Sequence, residues 1–127
     1  MATILIVDDE RNTRDALEVI LRREGHEIAL AESAAAALDG LAQHEVDLVI
    51  SDIKMPVMDG LTLLRRVKAT HPNTMVVMMS GHNDVMAAVD AIKEGAFDYL
   101  VKPFGKGDVL RTVQKALTLR SIHLIRQ

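Results

Sequence analysis

Polar residues stand at the ends of four apolar runs, and their types are those of a phosphate site. Asp8, Asp9 and Glu10 follow the first run, Asp52 the third, Ser80 the fourth and Lys102 the fifth. Carboxylates are hard oxygen ligands that suit Mg²⁺, which commonly takes one or two of them with waters and phosphate oxygens. A hydroxyl such as that of Ser80 can donate to a phosphoryl oxygen, and the compact ammonium of Lys102 can neutralise one. A carboxylate can itself be the nucleophile. Metal, nucleophile, hydroxyl and ammonium make up a phosphoryl-transfer site, where positioning and charge neutralisation do most of the catalysis. Singly, each residue reads more plainly. An acidic pair after a strand caps a helix. Asp52 near Pro56 and Asp59-Gly60 marks a turn, as does Ser80-Gly81. Lys102 alone is a solvated side chain. Their common placement at strand ends is what the plain readings leave unexplained.

The elements that must position them alternate. Apolar, β-rich runs cover residues 3–7, 27–31, 46–51, 74–79 and 97–101. Between them lie segments of helical period. Ala16, Leu17, Ile20 and Leu21 repeat at three- and four-residue steps within 12–24, which Gly25 stops. Ser33 caps an alanine-rich helix reaching about residue 43, and 61–69 lies in a third helix. Residues 85–93 form a fourth that ends at Gly95, and 108–119 a fifth. Such alternation predicts an α/β fold, a doubly wound five-stranded parallel sheet of order 2-1-3-4-5 with helices on both faces. Runs one, three and four are continuously apolar, as strands covered on both sides are. Ligands bind such sheets beyond the carboxyl ends of the strands, where strand order reverses. Between strands one and three, that point brings Asp8 and Asp9 to Asp52.

Composition narrows the rest. The 127 residues suit one domain, with no internal boundary. The absence of cysteine excludes disulfides and thiolate metal sites. A net charge of -3 and only three aromatics (Phe97, Tyr99, Phe104) argue against direct nucleic-acid binding. No apolar run approaches the roughly 20 residues that span a bilayer, and no secretory signal is visible, so a cytoplasmic location is expected. His26, His44, His71, His82 and His123 lack the paired spacing of a histidine metal site.

Over residues 1 to 118 the chain resembles a bacterial response-regulator receiver domain. The runs Ile4-Leu5-Ile6-Val7-Asp8-Asp9-Glu10, Asp52-Ile53-Lys54-Met55-Pro56-Val57-Met58-Asp59-Gly60 and Tyr99-Leu100-Val101-Lys102-Pro103-Phe104 carry the likeness, in order and at matching spacings. The resemblance implies a flavodoxin-like fold and a regulatory phospho-acceptor domain rather than an enzyme, one that catalyses its own phosphorylation and dephosphorylation. Asp52 would take a phosphoryl group from a sensor histidine kinase. Asp8, Asp9 and Asp52, with the backbone carbonyl of Lys54, would hold Mg²⁺. Ser80 and Lys102 would bind phosphoryl oxygens, and the Lys102–Pro103 peptide would be cis. Ser80 stands where many receivers have threonine, which keeps the hydroxyl. The side chains of Lys54 and His82 would flank the site and influence hydrolysis. Ser80 and Tyr99 would form the switch, altering the surface of the fourth helix, fifth strand and fifth helix.

Residues 119–127 are expected to extend the last helix toward a missing output domain. Leu110, Val113, Leu117 and Leu124 keep a three-four rhythm that Arg120 interrupts, which suggests a homodimer through that helix as an alternative to the switch surface. Gly95-Ala96-Phe97-Asp98-Tyr99 resembles receivers of the nitrogen-regulatory class, whose outputs are transcriptional. Two rivals fit less well. A phosphatase with an aspartyl-phosphate intermediate would put its nucleophile on the first strand and add a cap domain. A degenerate receiver would have lost one of Asp8, Asp9, Asp52, Ser80 or Lys102.

Overall fold

The computed structural model describes residues 1–126. Five strands, β1 (Thr3–Val7), β2 (Glu27–Ala31), β3 (Leu48–Asp52), β4 (Met75–Ser80) and β5 (Asp98–Val101), alternate with five helices. These are α1 (Arg11–Arg22), α2 (Ala34–Gln43), α3 (Gly60–Thr70), α4 (Val85–Lys93) and α5 (Lys106–Arg126). The sheet is parallel throughout, in the order β2-β1-β3-β4-β5. Fold class and strand order are as the alternation predicts.

Every residue of β3 and β4 is buried, the consequence of helices on both faces. One face packs Leu5, Val7, Val49, Val76 and Met78 against α2, α3 and α4. The other packs Ile4, Ile6, Ile50, Val77 and Met79 against Leu17 and Leu21 of α1 and Val109, Val113 and Ala116 of α5. Alternate residues of each strand thus serve alternate layers. Leu17 and Leu21, four apart, are wholly buried. Truncating either to alanine would cost about 2–5 kcal/mol.

Local chemistry sets the ends of the helices. The Ser33 hydroxyl accepts the Ala36 N–H at 3.1 Å, and the Asp59 carboxylate accepts the Thr62 N–H at 2.8 Å. α1 stops at Arg22 rather than residue 24, because the chain closes at once through the Gly25 N–H to the Arg22 carbonyl, with Gly25 at φ 88°. β3 and β4 run one residue further than their apolar runs suggest. Asp52 pairs with Met79 and Ser80 with Val101, so both polar residues belong to the ladder. A 3₁₀ turn, His82–Asp84, leads into α4 and has no apolar periodicity to announce it. No helix among the described residues is long and apolar enough to cross a membrane.

Candidate functional site

The parallel order sets the carboxyl ends of β1, β3, β4 and β5 along one edge. Asp8 continues β1, its N–H reaching the Ala31 carbonyl at 3.1 Å, and its side chain is fully buried. One carboxylate oxygen of Asp8 accepts the Glu10 N–H at 2.9 Å, and the other the Lys102 ammonium at 3.0 Å. Asp9, next in the chain, is exposed. Asp52 ends β3 at 8% exposure, with its oxygens accepting the Lys54 N–H at 3.3 Å and Lys102 Nζ at 3.0 Å. Lys102 thus bridges two carboxylates 44 residues apart in sequence, a salt-bridge pair made possible only by the strand order. Its peptide to Pro103 is cis.

Gly60, the first residue of α3, lies directly beneath Asp52. A Cβ there would collide with the Asp52 carbonyl oxygen and come within 2.8 Å of the Ile53 Cα. The Gly60 N–H donates to the Ile53 carbonyl at 2.7 Å, so α3 begins in contact with the strand that carries Asp52. Asp59-Gly60 read from sequence as a turn is therefore a helix cap followed by a close backbone approach.

Electrostatics follow from burial and pairing. Burial pushes the Asp52 carboxyl above its ordinary value; the Lys102 hydrogen bond and charge pull it back, and the nearby Asp8 charge pushes it further. For Lys102, burial alone would lower the ammonium, but hydrogen bonds and charges of Asp8 and Asp52 outweigh it and hold the group above the usual lysine value.

Oxygen atoms of Asp8, Asp9 and Asp52 lie within 4.8 Å of one another. Three hard carboxylate donors around one point, with a single ammonium against them, fit a hard divalent cation such as Mg²⁺. Ser80 supplies an independent sign of a ligand. Its side chain is wholly buried, and its Oγ has no hydrogen-bond partner among the described residues. It stands one residue beyond the strand partner of Asp52, where an incoming phosphoryl oxygen would satisfy it.

Asp8, Asp9, Asp52, Lys54, Ser80 and Lys102 all fall at this edge, and Tyr99 does not. Tyr99 is half-buried on β5, packed against the core beneath α4. Two contacts escaped sequence reasoning. The Lys54 ammonium meets the Asp84 carboxylate at 2.9 Å, joining the loop after β3 to the turn before α4. The Arg14 guanidinium donates to the Asp8 backbone carbonyl at 2.6 Å. Neither leaves a signature in spacing, because each depends on loops whose paths sequence does not give.

The family model described as response regulator receiver domain matches residues 4–114. The chain belongs to that family. Among curated relatives, this receiver is 41% identical over 115 residues to the DNA-binding transcriptional regulator NtrC of Escherichia coli K12. It is 37% identical over 114 residues to the C4-dicarboxylate transport transcriptional regulatory protein DctD of Rhizobium meliloti. Those matches cover 91% and 90% of the receiver but only 24% and 25% of the relatives, so the chain spans about a quarter of their length. Among solved structures, the receiver domain of NtrX from Brucella abortus matches at TM-score 0.88 and 41% identity, over 91% of this chain and 98% of that one. A receiver domain protein from Clostridium thermocellum matches at TM-score 0.91 and 33% identity, over 96% and 98%.

Proposed function

We propose that Asp52 accepts a phosphoryl group from a sensor histidine kinase in a Mg²⁺-dependent reaction, and that this charge switches a binding surface controlling a transcriptional output. The observation that carries the reading is the pairing of a buried carboxylate, bridged by Lys102, with the unpartnered Ser80 hydroxyl. In the transfer, an Asp52 oxygen bonds to phosphorus as the bond from phosphorus to the kinase's histidine nitrogen breaks. The electron pair stays on that nitrogen, which takes up a proton. Asp8, Asp9, Asp52 and the Lys54 carbonyl are the groups that would hold Mg²⁺, which when bound supplies charge neutralisation for the phosphoryl oxygens.

The chain's own residues do the remainder. Asp52 provides the nucleophile, Lys102 neutralises a transferred oxygen, and Ser80 donates to another. Lys54 and His82, both exposed at the mouth, set the approach of hydrolytic water. As a receiver the domain promotes its own phosphorylation and dephosphorylation while acting as a regulator, in the cytoplasm with its kinase. Ser80 following the new acceptor moves the loop that leads to α4, and Tyr99 turns inward beside it. The surface of α4, β5 and α5 then changes. Residues 1–118 make up the receiver and 119–127 lead toward an output domain, with a homodimer formed through the α4–β5–α5 surface or the end of α5; Gln127 lies outside the described residues. The similarity to NtrC and DctD supports a transcriptional output.

Asp52→Asn tests the proposal. With a small phosphodonor and Mg²⁺, the wild type is labelled and the variant, still folded by circular dichroism, is not. Full labelling of the variant sinks the assignment.

A further inference from the structure

Asp8 is held from every side. Its N–H meets the Ala31 carbonyl, one carboxylate oxygen takes the Glu10 N–H, and the other takes Lys102. Asp9 has a different footing. It is exposed, and its direction depends on the peptide that joins it to Asp8. The carbonyl of that peptide is the one that Arg14 grips, Nη1 to oxygen at 2.6 Å. Arg14 is placed for this by the first turn of α1, where its own N–H bonds to the Glu10 carbonyl at 3.3 Å. The charged donor makes the grip stronger than a neutral hydrogen bond.

We propose that Arg14 is a positioning residue for the divalent cation: by clamping the Asp8–Asp9 peptide to α1, it presents the Asp9 carboxylate to the ion. The proposal rests on the reading of Asp8, Asp9 and Asp52 as a Mg²⁺ site. It reverses the effect expected from charge alone. A guanidinium on the carbonyl between Asp8 and Asp9 repels a cation held by their carboxylates, so a role as a mere charge means that removing Arg14 tightens Mg²⁺ binding. A clamp means the opposite. Without it the turn samples other peptide orientations, and the ion must order Asp9 as it binds.

The test is a titration with Mg²⁺ alone, followed through the amide NMR shifts of Asp52, Ile53 and Lys54, for the wild type and for Arg14→Met, Arg14→Gln and Arg14→Lys. Arg14→Met is expected to weaken Mg²⁺ binding by roughly tenfold or more, the scale of losing one supporting contact around a metal. Arg14→Lys, which keeps a charged donor, should recover part of the loss, and shifts far from the site should stay as in the wild type. Arg14→Gln is the second route should the methionine variant fold poorly: the clamp predicts weaker binding than wild type, and a charge-only role predicts tighter. Unchanged or tighter binding in the methionine or glutamine variant overturns the proposal while leaving the phospho-acceptor reading intact. A wild type that binds no Mg²⁺ overturns both the clamp and the cation site, and labelling of Asp52 then judges the rest.

Discussion

Ser80 buries a hydroxyl without a hydrogen-bond partner among the described residues, and such a group costs about 1–3 kcal/mol in desolvation. Ser80→Ala should therefore leave the unphosphorylated fold as stable or raise it by about 1 kcal/mol, read as a later urea midpoint. The same variant should bind beryllofluoride, a mimic of the phosphoryl group, less tightly, because the donor is gone. A variant that lost stability would show that the hydroxyl has a partner in solution. Gly60→Ala should do the reverse. Its Cβ strikes the Asp52 carbonyl oxygen, a backbone atom that cannot swing aside, so destabilisation of about 1–3 kcal/mol is expected in the same melts. The five residues of the candidate site were legible because each is a polar residue at the end of an apolar run. Gly60, Arg14 and the Lys54–Asp84 pair were not, because what defines them is an approach between separate segments. Gly60 came nearest, as a glycine after Asp59, but a cap and a collision read alike in one dimension.

Elements were legible where burial dictates pattern and blurred where polar residues join them. The runs for β3 and β4 stop short because Asp52 and Ser80 look like loop, yet the ladder continues through the Ile53 N–H to the Met79 carbonyl and the Lys102 N–H to the Ser80 carbonyl, at 3.0 and 2.7 Å. At the opposite edge, His26 precedes β2 and its Nδ1 accepts the Ala2 N–H at 3.2 Å, which requires that nitrogen to be unprotonated. Burial, helped by the chain's amino-terminal charge, lowers the His26 pKa below its ordinary 6.5. The neutral ring's contribution is thus fully present above the unfolded value and lost as pH falls through the lowered folded one. Wild-type stability should decline between about pH 7 and pH 5, and His26→Gln, which can still accept the Ala2 N–H, should decline less. The difference between the two chains isolates His26 from any other group that titrates in this range. Equal slopes would remove His26 from the pH response.

Across the whole molecule, α5 joins the carboxyl-end edge of the sheet to the opposite one. It begins four residues after Lys102 and continues for 21 residues, about 30 Å at 1.5 Å each, well beyond the length of a five-residue strand. Arg120, which looked like a fault in the apolar rhythm, is where the helix is fastened. Its Nη1 meets an Asp47 oxygen at 2.8 Å and its Nε the Asn73 carbonyl at 2.9 Å. The other Asp47 oxygen accepts the Thr3 N–H at 2.8 Å, and the Asp47 carbonyl accepts the Met75 N–H at 3.0 Å. One arginine therefore ties α5 to the leading ends of β1, β3 and β4. Beyond it Ile122, Leu124 and Ile125 are exposed at 42%, 40% and 84%, so packing gives little hold on the last turns. If the ion pair sets their bearing, Arg120→Gln should speed amide exchange over residues 119–125 by roughly three- to tenfold without changing exchange in β3, the local opening of one segment rather than of the fold. Asp47→Asn, which keeps an acceptor for Thr3 but loses the charge, should act alike, and the double variant should add little to either. Additive effects, or faster exchange throughout the sheet, would mean that Arg120 and Asp47 support the fold separately and that the helix holds its direction without them.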